Sequence, residues 1–131
     1  MKLEKIMLVD DEGDIRQIAR LALEALGGFT IQECASGLDA PAMAARFQPQ
    51  LILMDVMMPA QDGPTTFQML RADLELPRIP VIFMTAKVQP QEIEALLRLG
   101  ALDVIAKPFD PMALADTVRK IWLRNEALKS E

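Results

Sequence analysis

Histidine and tyrosine are both absent from this chain. Without histidine there is no Ser-His-Asp or Cys-His catalysis and no His-containing metal site. The chain also cannot carry a phosphohistidine of its own. One cysteine, Cys34, excludes an internal disulfide and fits a reducing compartment. It lies in an apolar–polar alternation and reads as a packed thiol. No apolar run approaches a membrane span. The N-terminal MKLEKIMLVDDE lacks the long apolar core of a signal peptide before acids arrive. There is no basic stripe either. Arg119, Lys120 and Arg124 sit among acids, and the net charge of -5 disfavours contact with a phosphate backbone. A cytoplasmic protein is expected, with no membrane and no direct nucleic-acid contact. Its chemistry must rest on Asp, Glu, Lys, Ser or Thr.

What is present is an ordinary globular balance, 51% hydrophobic and 25% charged, over 131 residues. That length fits one domain over 1–131, with its core at about 5–123 and a polar tail at about 124–131. Five apolar segments alternate with amphipathic ones. Lys5 to Val9 is the first strand. Ile15, Ile18, Ala19, Ala22 and Leu26 then follow helical spacing, and Gly27-Gly28 ends the helix. Phe29 to Cys34 alternates like a strand. Ser36 with Asp39 resembles a capping box for a helix to about Phe47. Leu51 to Met54 is a doubly buried strand. Pro64 opens a helix to about Leu74. Val81 to Met84 is followed by a helix from Pro90 with Ile93, Leu96 and Leu97 on one face. Gly100 closes it. Leu102 to Ile105 is the last strand, and Asp110-Pro111 are expected to start the last helix, with Leu114, Val118, Ile121 and Trp122 inward. The order is (βα)5, which implies a doubly wound parallel sheet covered on both faces.

In such sheets ligands bind beyond the C-terminal strand ends, where the strand order reverses. The residues there are Asp10-Asp11-Glu12, Asp55, Thr85-Ala86 and Lys107-Pro108. With strand order 2-1-3-4-5, Asp10, Asp11 and Asp55 converge, flanked by Thr85 and Lys107. Each alone has a plain explanation: a helix cap, a turn residue, a solvated lysine. Together they fit one site. Three close carboxylates repel, and a hard divalent cation such as Mg2+ relieves that. Lysine suits a phosphate and a hydroxyl donates to it. The set describes phosphoryl transfer onto an aspartate. DDEGD is not an EF-hand, since its glycine comes fourth rather than sixth.

These motifs resemble the receiver domain of two-component response regulators, which has a flavodoxin-like fold. They are the acidic pair, D-x-x-M-P-x-x-D-G at Asp55 to Gly63, Thr85-Ala86, and G-A…K-P-F from Gly100 to Phe109. The resemblance implies that Asp55 accepts a phosphoryl group from a histidine kinase or phosphotransfer protein. It implies Asp11 as direct Mg2+ ligand, Asp10 acting mainly through water, and the backbone carbonyl of Met57 as a third ligand. Lys107 pairs with the phosphoryl group and Thr85 bonds one of its oxygens. The Lys107-Pro108 peptide is expected to be cis. Met57 and Lys87 occupy the positions that tune dephosphorylation in the family. One residue departs: Val104 stands where the family usually has an aromatic ring that turns inward.

The expected role is therefore a phosphorylation-controlled switch, not a turnover enzyme. It would catalyse only its own phosphorylation and dephosphorylation. The chain ends one helix after Lys107, so output by protein contact is expected. A downstream protein target, or a second copy, would use the helix 4–strand 5–helix 5 face, with Leu97, Leu99, Met112 and Trp122 as candidates. A receiver fold acting as a non-phosphorylated interaction module is the alternative. An aspartate-nucleophile phosphatase fits less well, because its D-x-D-x-T follows the first strand. A flavin carrier fits poorly, because DDEG would repel a flavin phosphate.

Overall fold

The computed structural model describes residues 1–129. Strands and helices alternate: β1 (Lys5–Val9), α1 (Gly13–Gly27), β2 (Thr30–Cys34), α2 (Ala40–Phe47), β3 (Leu51–Asp55), α3 (Gly63–Ala72), β4 (Val81–Thr85), α4 (Pro90–Leu99), β5 (Asp103–Ala106) and α5 (Leu114–Lys129). All five strands are parallel, in the order β2-β1-β3-β4-β5. This is the expected doubly wound sheet. Strand periodicity divides the core in two. Ile6, Leu8, Leu53 and Met84 face α1 and α5, while Met7, Val9, Met54 and Phe83 face α2, α3 and α4. Both sheet faces are covered, which is why β1, β3 and β4 are nearly continuous apolar runs. No described helix is long and apolar enough to cross a membrane.

Local signals set most element ends. Gly28 takes φ 70 and caps α1, its N–H reaching Glu24 O. Asp62 caps α3 by accepting from the Thr65 N–H at 2.8 Å. Ser36 does not form a reciprocal box with Asp39. It accepts from the Leu38 N–H and starts a 3-10 turn ahead of α2. Asp110 likewise caps only a turn, through Met112 N–H, and α5 begins at Leu114. The polar residues after Leu123 continue α5 to Lys129, and 130–131 lie outside the described residues.

Helix faces depart from the expected pattern in two places. On α1 the buried residues are Ala19, Ala22 and Leu23, whereas Ile18 and Leu26 are 46% and 50% exposed. On α4, Leu96 is buried and Leu97 is exposed. Both helices carry more apolar residues than the sheet can cover, so spacing alone allows two neighbouring faces.

Gly63 has a steric task beside the sheet edge. A Cβ there would lie 2.5 Å from Asp55 O and 3.0 Å from Val56 Cα. Both obstacles are backbone, so they cannot rotate away. Gly63→Ala is expected to cost about 2 kcal/mol in urea unfolding. An unchanged midpoint would show that the β3–α3 loop yields freely.

Candidate functional site

Register alone brings the site together. Val9 pairs with Met54, so the next residues, Asp10 and Asp55, emerge side by side. Asp55 pairs with Met84, and Thr85 follows; Thr85 pairs with Ala106, and Lys107 follows. Four strands thus deliver a polar or charged side chain from their C-terminal ends to one edge. Asp10, Asp55 and Thr85 are 0%, 5% and 3% exposed.

The acids form a cluster. Asp10, Asp11 and Asp55 each offer a carboxylate oxygen within 4.8 Å of the others. Lys107 Nζ lies 2.8 Å from Asp10 Oδ2 and 3.3 Å from Asp55 Oδ1. Asp10 Oδ1 accepts the Glu12 N–H at 2.9 Å. Asp11 Oδ1 is buried without a hydrogen-bond partner. Burial pushes the Asp55 carboxyl above its ordinary range; Lys107 opposes that, and Asp10 and Asp11 add to it. Burial alone would pull Lys107 down, but the hydrogen bond and charge of Asp10, with Asp55 behind, leave its pKa raised. Lys107 therefore pairs with two of the three clustered acids. An orphaned buried carboxylate oxygen and an all-oxygen donor set fit a hard divalent cation.

The flanking residues are wired to this edge. Thr85 Oγ1 accepts the Lys87 N–H at 3.0 Å, and Thr85 O accepts the Lys107 N–H at 2.9 Å. The Lys107-Pro108 peptide is cis, as expected. Met57 lies in the β3–α3 loop with its side chain exposed. That loop is held by the Gly63 N–H to Val56 O at 2.8 Å and by Gln61 Nε2 on Thr66 Oγ1 at 3.0 Å. Val104 is partly buried against the α4 side of the core. Cys34 is buried, and burial pushes its thiol up, as a packed thiol requires.

Of the four contact-face candidates, one is closed off by the inward burial expected of it. Trp122 is core, with its indole N–H on Met1 O at 3.0 Å, so it offers nothing to a partner. Met112 and Leu97 are exposed, and Leu99 is partly buried. The sequence reading missed Arg16. Its guanidinium donates to Asp10 O at 2.7 Å and to Glu33 Oε1 at 2.9 Å. The available signal was its place one turn into the helix that follows the acidic pair. A surface cavity of about 400 Å³ between α2 and the α3–β4 loop lies at the other end of the sheet.

Comparison with known proteins agrees with this geometry. A family model described as the response regulator receiver domain matches residues 6–119. The DNA-binding dual master transcriptional regulator RpaA of Synechocystis is 33% identical over 96% of this chain and 52% of its own length. A probable transcriptional regulator, ycf27, of Porphyridium aerugineum is 35% identical over 99% of this chain and 52% of its own. The chain thus spans about half the length of these relatives. Among solved structures, the Vibrio cholerae chemotaxis protein CheY4 superposes with TM-score 0.82 at 27% identity, covering 92% of this chain and 99% of that one. With its strand order, its acidic edge and these matches, the chain belongs to the receiver domains of two-component response regulators.

Proposed function

We propose that this receiver domain is a phosphoaspartate switch, with Asp55 accepting a phosphoryl group from the phosphohistidine of a histidine kinase or phosphotransfer protein. The observation that carries this is the convergence of Asp10, Asp11 and Asp55 within 4.8 Å, beside Lys107. An Asp55 oxygen forms the new bond to phosphorus. The P–N bond of the donor breaks, and the imidazole nitrogen keeps the electron pair and takes a proton.

Asp11, Asp10, Asp55 and the Met57 carbonyl would hold Mg2+. The bound ion supplies divalent charge that offsets the carboxylates and the incoming phosphoryl oxygens. Lys107, already 3.3 Å from Asp55, follows the phosphoryl group as a point charge. Thr85 uses its hydroxyl only as an acceptor, so its proton is free for a phosphoryl oxygen. That move would loosen the Lys87 N–H and shift the loop into α4. The contact face for a downstream protein, or for a second copy, is α4–β5–α5, where Leu97 and Leu123 are exposed. Val104 makes a loop shift the means of transmission, not a ring rotation.

The test uses Mg2+, acetyl phosphate and intact mass. Wild type should gain one phosphoryl group and Asp55→Ala none. Equal gain by both proteins would end this reading, and so would no gain by wild type.

A further inference from the structure

We propose that Arg16 is the positioning residue of the cation site: it holds the Asp10-Asp11 turn in shape while touching neither the ion nor the phosphoryl group. This rests on the switch reading above and names a determinant of its Mg2+ affinity. Asp11 is the weak point of the site. Its Oδ1 is buried without a partner, and among the described residues no hydrogen bond reaches its side chain. The backbone on either side must therefore decide where Asp11 points.

Besides Glu12 O, which accepts the Arg16 backbone N–H at 2.9 Å as the opening bond of α1, that backbone is pinned at three atoms. Asp10 N–H donates to Cys34 O at 3.0 Å. Glu12 N–H donates to Asp10 Oδ1 at 2.9 Å. Asp10 O accepts from Arg16 Nη1 at 2.7 Å. The third is the one made by a side chain from α1. Glu12, at the N-cap of α1, gives the helix no side-chain cap, so Arg16 is the main tie between the start of α1 and the end of β1.

Arg16 is itself held. Its Nε donates to Glu33 Oε1 at 2.9 Å, and Arg20 Nη1 donates to Glu33 Oε2 at 2.7 Å. The hydrogen bond from Arg20, with that from Arg16, keeps Glu33 below the usual carboxylate range. Glu33 therefore remains a charged anchor at neutral pH. The planar guanidinium spans an anchor on β2 and a carbonyl on the metal turn at once, which an ammonium cannot do. Residues that orient metal ligands in this way typically govern affinity by tenfold or more.

The test is Mg2+ titration by calorimetry on the whole chain, for wild type, Arg16→Met, Arg16→Lys and Glu33→Gln. Melting in EDTA reports the fold of each. Arg16→Met should bind Mg2+ about tenfold more weakly, and Arg16→Lys should show most of that loss. Glu33→Gln leaves Arg16 in place without its anchor and should show a smaller loss. In acetyl phosphate reactions, the Mg2+ concentration for half-maximal phosphorylation should rise in parallel, while the rate at saturating Mg2+ stays near wild type. A purely structural role would lower melting in EDTA and leave the Mg2+ affinity unchanged, and that result overturns the proposal. Wild-type affinity in Arg16→Lys beside weak binding in Arg16→Met would make charge the cause and also overturn it. If Arg16→Met does not fold, Arg16→Lys and Glu33→Gln decide. A wild type that binds no Mg2+ and takes no phosphoryl group fails the switch reading itself, and this inference with it.

Discussion

Lys107→Met is expected to destabilise the metal-free protein by about 3 kcal/mol, or about 10 °C in melting temperature. The lysine is 11% exposed and faces Asp10, which is wholly buried, at 2.8 Å. Methionine keeps most of the packing stem and removes the charge. Two buried carboxylates then lose their cation, the circumstance in which breaking an ion pair costs most. The pKa of Lys107 is raised, so its contribution is fully present below the ordinary lysine value of 10.5 and is lost only as pH rises through the folded-state value. The gap to wild type should therefore stay constant from neutral pH into the alkaline range and close above 10.5. Magnesium should narrow the gap at neutral pH by supplying the missing positive charge. Thermal melts with EDTA and with Mg2+ give both numbers. A variant that melts with wild type in EDTA would mean that Lys107 is not the counter-ion of this cluster.

Asp11→Asn should change sign with the medium. In EDTA it should melt above wild type, because it removes one of three like charges and replaces a buried, unpartnered carboxylate oxygen with an amide. In Mg2+ it should melt below wild type, because the ion no longer stabilises the fold by binding it. Groups that merely orient ligands cost 10–100-fold in affinity, so loss of a direct ligand should cost about 100-fold or more. Calorimetric titration reads the affinity, and the paired melts read the inversion. The same sign in both media would show that Asp11 does not serve the ion.

The architecture was legible because its signals are local. Gly27-Gly28, Pro64 and Gly100 each mark a helix end by backbone chemistry that needs no neighbour. The site was legible because register follows from strand order. Once β1, β3, β4 and β5 are adjacent, Asp10, Asp55, Thr85 and Lys107 must share an edge. What escaped depends on partners distant in sequence. Ile18 and Leu26 keep helical spacing with the buried set, yet α5 and the sheet cover only the side with Ala19 and Leu23. Trp122 reads as inward on α5 and is buried, but helical spacing says nothing of Met1 O, which its indole N–H meets at 3.0 Å. Asp110-Pro111 has the chemistry of a helix start, and the chain makes one turn there before α5 begins. Arg16 was hidden for the same reason. Its partners are a carbonyl on β1 and a carboxylate on β2, and periodicity in α1 says nothing of either.

The central claim is that one carboxylate, Asp55, becomes the acyl phosphate. The most direct measurement is to phosphorylate the wild-type chain with Mg2+ and a phosphodonor, reduce the acyl phosphate with borohydride, and sequence the peptides by tandem mass spectrometry. Reduction converts a phosphorylated aspartate to homoserine. Homoserine at position 55, and only there, is the predicted result. Homoserine at position 10 or 11, or none at all in protein that gained a phosphoryl group, would contradict the account.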